Sequence, residues 1–470
     1  MKEDDKNSNK SDESANEEKT WPQILAIYIA CLSSITSGVL YAWTSPFIVQ
    51  ITKDKENYSI SEDEASYFTV IPSILMILTS YPFSRLCDVI GRKWTLMLSA
   101  IPHFLTWSLK AVAKDVSVFY AARAFAGIGD ACIFSAVPMY IGEVCTPVVR
   151  GRWGGLFSFF FFLGQFFINV IGNFCDVKQT CYIGITIPII FVVSFYFMPE
   201  SPYYYVMKNR FDEAEACLKW LKHKKNVDED FTQLKADVER QRSESGTWLD
   251  LFTINSNRRA LIAGLFLRIS QLLGGATAFA YYTQYIFEKA GGNLDSAIST
   301  IIYCGLCLVL NVFAMKTVDI FGRKKSYMYS LLLCSFMLLL EAIYFYIDQF
   351  YPEKDLSAVN WIPIAGMFLY ITFASFGISL IPSLMLGELF STSIKAKGLY
   401  LQTVAFGLFQ IISSNIFYFL SSRVGFFSPF LFFGICASTS CVLTVYLVPE
   451  TKGRTLEEIQ QVLKRGKLNK

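Results

Sequence analysis

Two charged clusters recur at matching places along this 470-residue chain, and the chemistry they offer is ion pairing. Asp88-Val89-Ile90-Gly91-Arg92-Lys93 is echoed by Asp319-Ile320-Phe321-Gly322-Arg323-Lys324. Glu143 precedes Arg150 by the spacing with which Glu388 precedes Lys395, and Pro199-Glu200-Ser201 is echoed by Pro449-Glu450-Thr451. One copy of Asp-x-x-Gly-Arg-Lys reads equally well as a tight loop, with Gly permitting the turn and the charges solvated. Three anchors recurring in one order point instead to a duplicated unit with a shared mechanism. Acid–base catalysis finds little footing. The only histidines are His103 and His223, and no acid stands at a helical spacing that pairs with His103, which argues against an enzyme such as an acyltransferase. The twelve cysteines are scattered along apolar stretches and read as small packing residues, not as a zinc site or disulfide framework. Cys175 and Cys181 are close enough in sequence to bridge or to remain two free thiols. No metal or organic cofactor has a visible site.

The elements that must position these charges are membrane helices. Hydrophobic residues make up 53% of the chain and charged ones only 17%, too apolar a balance for a soluble domain. Gln23 to Val49, Trp153 to Phe174, Ser326 to Tyr346 and Phe426 to Val448 are each long enough to cross a hydrocarbon core of roughly 30 Å. About twelve such stretches occur. Unpaired backbone amides are costly in lipid and long continuous apolar runs exclude barrel alternation, so the fold class is an all-α membrane protein. Five regions follow: a polar, disordered tail at 1–20 with no signal-peptide core, a six-helix bundle at 21–202, a helical insert at 203–259, a second six-helix bundle at 260–449, and a tail at 450–470. In the insert Phe211, Ala214, Cys217, Leu218 and Leu221 share one helical face.

Lys and Arg concentrate in alternate loops, after spans two, four, eight and ten, which makes those loops, both termini and the insert cytoplasmic. Asn57-Tyr58-Ser59 then lies outside as a glycosylation sequon, whereas Asn9-Lys10-Ser11 lies inside. A net charge of +3 gives no reason to expect nucleic acid, and the partners expected are the lipid bilayer and a small solute, with the chain a monomer.

Arg123-Ala124-Phe125-Ala126-Gly127-Ile128-Gly129, Pro138-Met139-Tyr140-Ile141-Gly142-Glu143, Pro199-Glu200-Ser201-Pro202 and Pro449-Glu450-Thr451-Lys452-Gly453-Arg454-Thr455-Leu456-Glu457-Glu458 carry a resemblance over nearly the whole chain. It resembles the sugar porter branch of the major facilitator superfamily, and within it the insect facilitated trehalose transporters. The resemblance implies twelve transmembrane helices in two six-helix bundles that pass a sugar or polyol by alternating access. It also implies a cytoplasmic latch of Asp88, Arg92, Glu143, Arg150 and Glu200, with the counterparts Asp319, Arg323, Glu388, Lys395 and Glu450, that closes the inner gate and loosens when it opens. Screened ion pairs contribute about 0–1 kcal/mol each, enough together to bias a two-state equilibrium without locking it. Thr455 with Glu458 also forms a capping box that would start a cytoplasmic helix.

At the substrate site the chain departs from the family. Sugar porters typically carry a glutamine in span five, paired glutamines and an asparagine in span seven, a polar residue in span eight and a tryptophan in span ten. The matching positions read Ser158, Gln271 with Leu272, Thr277, Cys307 and Ser383, and only Gln271 is unchanged. Gln271, Thr277, Ser158, Ser383 and Asn311 are the candidate substrate contacts, in a cavity suited to trehalose, another disaccharide or a polyol, although each is also able to serve as an interhelical contact. Proton-driven relatives carry an acid in span one, where this chain has Val39 and Leu40. Facilitated uniport is therefore expected, with Asp130 in span four as the one loophole. A proton-coupled symporter and a non-transporting nutrient sensor are the alternatives.

Overall fold

The computed structural model describes residues 19–243, 246–291, 295–354, 356–391, 394–452, 454 and 456–465. Most of the N-terminal tail, Asn9 included, and Thr455 of the capping box lie outside the described residues, as does the side chain of Asp319.

Every described element is helical. The first part of the chain runs through α1 (Trp21–Ala42), α2 (Thr44–Lys53), α3 (Glu62–Ile90), α4 (Arg92–Leu98), α5 (Ala100–Val112), α6 (Val116–Val144), α7 (Pro147–Trp153), α8 (Leu156–Phe174) and α9 (Val177–Tyr196). Four short helices follow: α10 (Pro202–Met207), α11 (Phe211–Lys222), α12 (Asp228–Ser243) and α13 (Trp248–Thr253). The second part holds α14 (Asn255–Leu273), α15 (Ala276–Ala290), α16 (Ser296–Phe321), α17 (Arg323–Phe350), α18 (Ile362–Ser375), α19 (Ile381–Leu389), α20 (Lys395–Arg423) and α21 (Phe427–Leu447), and α22 (Leu456–Arg465) closes the chain.

Ten helices, counting α1–α2 and α14–α15 as one each, are long and apolar enough to cross a membrane among the described residues. The third and tenth stretches of the sequence are built from shorter pieces, α4 with α5 around Ser99, and α18 with α19 across a turn at 376–380. Helices α1 to α9 pack on one another, as do α14 to α21, and the two groups meet through α3 against α20, α8 against α16 and α2 against α15. Ala214, Cys217, Leu218 and Leu221 of α11 are buried, while Phe211 at its start is exposed. All twelve cysteines are free, so Cys175 and Cys181 remain two thiols.

Candidate functional site

The duplicated charges assemble at one end of each helix group, and the assembly starts from a turn that needs glycine. Gly91 (φ +102°) and Gly322 (φ +92°) separate α3 from α4 and α16 from α17 in a conformation that costs an L-residue about 1–2 kcal/mol. A carboxylate fills the space beside each. Glu200 accepts from the backbone amides of Arg92 and Lys93, both at 3.0 Å, and from Ser201 at 2.8 Å. Glu450 accepts from Arg323 and Lys324 at 3.1 Å and from Thr451 and Lys452 at 3.0 Å. Each glutamate thus caps the first amides of the following helix, where the helix dipole favours negative charge. Burial nonetheless pushes the Glu200 carboxyl above its ordinary pKa.

The arginine side chains complete the clusters. Arg92 is buried, with Nε 2.8 Å from Glu143, Nη2 3.2 Å from Asp88 and Nη1 donating to the Cys87 carbonyl at 3.0 Å. Ser201 Oγ donates a short hydrogen bond to Glu143. In the second half Arg323 Nη2 stands 3.5 Å from Glu388. Asp88, Arg92, Glu143 and Glu200 are therefore brought together, as are Arg323, Glu388 and Glu450. Arg150 and Lys395 stand outside these pairs: among the described residues Arg150 Nη1 donates to the Gly142 carbonyl, at 3.5 Å, and Lys395, across the halves, is near enough to feel its charge as a repulsion. The ion pairs of both clusters stay within one half of the molecule.

The halves are joined at the other end. Thr44 Oγ1 donates to the Tyr281 carbonyl at 3.3 Å, Ser45 Oγ accepts from the Gln284 amide at 3.3 Å, and Lys53 pairs with Glu288. Tyr418 donates to Asp63 at 2.7 Å.

Between the two ends, the long helix Asn255–Ala290 is broken. Gly274 and Gly275 separate α14 from α15, and Gly275 (φ +89°) has its would-be Cβ position 2.4 Å from the Phe279 ring. Gln271 precedes the break and Thr277 follows it. Gln271 Nε2 donates to the Ser379 carbonyl at 3.3 Å, in the turn that interrupts α18 and α19, so both broken helices meet at this amide. Its Oε1 accepts at 2.9 Å from Arg268 Nη1, which also donates to Ser383 Oγ at 3.2 Å. Two of the expected contacts, Gln271 and Ser383, thus converge on a residue absent from the expected set. The signal was present in the sequence: an arginine inside the apolar run from Leu261 to Leu273, three residues before Gln271 and so on its helical face. A charge at the centre of a membrane helix costs about 2.5–3.5 kcal/mol, which makes such a residue functional by default.

The other expected contacts lie apart from this group. Thr277 is buried within hydrogen-bonding reach of the Tyr41 hydroxyl, whose ring packs 4.6 Å from that of Tyr281. Ser158 is half-buried in α8, and Asn311 is buried in α16. Neither is hydrogen-bonded to Arg268, Gln271 or Ser383 among the described residues.

A further correction concerns the histidine. His103 of α5 has its Nε2 3.4 Å from Asp130 Oδ1 of α6, so an acid stands beside it, although the two atoms do not form a hydrogen bond. The partner comes from a neighbouring helix, where spacing along one helix could not reveal it, and Gly129 leaves the room the ring occupies. At the span-one position, buried Arg123 donates to the Leu40 carbonyl and the Phe68 carbonyl, each at 2.7 Å, and among the described residues no carboxylate bonds to it.

The model of a protein family described as sugar (and other) transporter matches residues 26–463. The chain belongs to that family. This sugar-transporter family member is 29% identical to a facilitated trehalose transporter, Tret1, of Culex quinquefasciatus over 94% of its own length and 86% of the relative's. It is also 29% identical to the Tret1 of Aedes aegypti, of which it spans only 55%. Its fold is similar to that of the major facilitator superfamily proton:xylose symporter XylE bound to 6-bromo-6-deoxy-D-glucose, with a TM-score of 0.76, 21% identity, and coverage of 95% of this chain and 100% of that one. An inward open XylE from E. coli matches with the same TM-score at 20% identity, over 93% and 99% of the two chains.

Proposed function

We propose that the chain is a facilitative transporter that carries a sugar or sugar-like solute by alternating access between two six-helix bundles, residues 21–202 and 260–449. In this reading α4–α5 and α18–α19 complete twelve crossings, 203–259 is a cytoplasmic insert, and both termini, with 1–20 and 450–470, are cytoplasmic in the cell membrane. The observation that carries it is the pair of broken helices meeting at Gln271 and Ser379, because irregular backbone at membrane depth is tolerated where it lines a solute path. The charge clusters act as clamps that keep each bundle rigid, and the joined end opens as the bundles rock. Asp88, Arg92, Glu143, Glu200, Asp319, Arg323, Glu388 and Glu450 are the clamp residues, and Arg150 facing Lys395 favours separation at that end. Gln271, Thr277, Ser158, Ser383 and Asn311 line or flank the path. The relatives' names make trehalose the first solute to test.

One observation favours a second reading, proton coupling: His103 and Asp130, an imidazole and a carboxyl, stand 3.4 Å apart inside the helix bundle. Uptake of labelled trehalose, glucose and sorbitol into liposomes of the purified protein tests both. Facilitated transport gives equilibration that ignores an imposed pH gradient. Concentrative uptake that a protonophore and Asp130→Asn both abolish establishes coupling, and binding without any uptake establishes a sensor.

A further inference from the structure

Arg268 is a cation inside a span that the proposed mechanism does not use. It lies roughly 20 Å along α14 from Asn255, at about 1.5 Å per residue, and so well inside the span. Its guanidinium presents five donors and keeps its charge at any physiological pH. Nη1 spends its donors on Gln271 and Ser383, both neutral. Nε is enclosed without a partner, and Nη2 makes no hydrogen bond and is not enclosed. The Phe406 ring of α20 lies 5.0 Å from the guanidinium carbon and supports it by a cation–π contact. No carboxylate forms an ion pair with Arg268 among the described residues.

The other buried arginines differ. Arg92 is neutralised by Glu143 and Asp88, and Arg123 is held by two backbone carbonyls. Arg268 alone of the three faces only an amide and a hydroxyl, with the Nε–Nη2 edge idle. Nη2 is the donor left for a carboxylate or phosphate oxygen, through a charge-assisted hydrogen bond. Ser383 is exposed and Arg268 half-buried despite their depth, so the space they share is open. A neutral sugar accepts hydrogen bonds there but leaves the charge uncompensated, whereas an anion supplies the missing counter-charge.

We propose that Arg268 determines the specificity of the transport site and that the solute it selects carries an anionic group, as a sugar acid or a sugar phosphate does. Gln271 and Ser383 hold the guanidinium in place, and the solute's carboxylate or phosphate docks on Nη2. The proposal rests on the transport reading above and narrows its substrate class.

The test is equilibrium binding of glucuronate, glucose 6-phosphate, glucose and trehalose to the full-length protein in lipid nanodiscs, followed by uptake of the same solutes in liposomes. The expected result is affinity for glucuronate or glucose 6-phosphate at least tenfold above that for glucose, and the preferred member of the pair tells carboxylate from phosphate. In Arg268→Gln the ratio of anionic to neutral affinity should fall tenfold or more, and in Arg268→Lys it should largely persist. The measurement on the unaltered protein stands even if a variant fails to fold. Affinity for both glucuronate and glucose 6-phosphate no higher than for glucose, tighter binding of trehalose than of either anion, or no binding of either anion overturns the proposal. Trehalose uptake without anion recognition sinks this proposal and leaves transport intact, whereas anion binding without uptake of any solute sinks transport and leaves the anion site standing.

Discussion

At Glu200 one carboxylate satisfies three backbone amides at a helix start, so its loss strands buried donors. Glu200→Ala should destabilise the protein by about 1–3 kcal/mol, the range for leaving buried polar groups unpaired, and thermal unfolding in detergent measures it. The same residue predicts a pH dependence. Burial raises its folded pKa above the unfolded value, so between the two the folded chain binds more protons. Stability should therefore fall as pH rises from the ordinary carboxylate range through the folded value, and level off above it. Glu200→Gln, which cannot titrate, should flatten that slope in unfolding temperature against pH. An unchanged slope assigns it to another group.

Elements matter most where they stop. The break at Gly274 and Gly275 is held by a left-handed backbone and by the close approach of Phe279, so Gly275→Ala meets both strain and a clash. A loss of about 1–2 kcal/mol is expected, with uptake reduced beyond what the lower folded amount explains. Normal uptake at normal stability would show that the break has no part in the solute path. The loop between α2 and α3 carries a separate prediction about topology. Asn57 is exposed there and, among the described residues, bonds Asp54 through its side chain at 2.8 Å and its backbone amide at 3.2 Å. Mass spectrometry of protein from cells should find a glycan on Asn57 and none on Asn9, and a glycan on Asn9 would invert the orientation.

Over the whole molecule, the two halves meet firmly at the end of Thr44, Lys53 and Glu288, while the charge clusters at the opposite end stay within their own halves. A rocking cycle has to open the joined end. Cysteines introduced by Ser45→Cys and Gln284→Cys, where Ser45 Oγ meets the Gln284 amide at 3.3 Å, should cross-link on oxidation and stop uptake, and reductant should restore it. The single variants serve as controls against the twelve native thiols. Undiminished uptake with the bridge complete would rule out rocking about this interface.

Membrane helices satisfy their own backbone and announce themselves by apolar length, so the all-helical class, most spans and the insert's buried face at Ala214, Cys217, Leu218 and Leu221 were legible in the sequence. Duplication of residues and spacing singled out Arg92 and Arg323 in the sequence, and the family resemblance implied that charges gather around them. Spacing along one helix says nothing of a neighbouring helix, and the rest depended on that. His103 finds Asp130 across two helices, and Gln271 finds Ser379 and shares Arg268 with Ser383 across a stretch of more than a hundred residues. Arg150 and Lys395 match the clusters by position, yet neither joins their ion pairs among the described residues. Which polar residues form the site, and that a cation stands among them, was decided only when packing brought distant segments together.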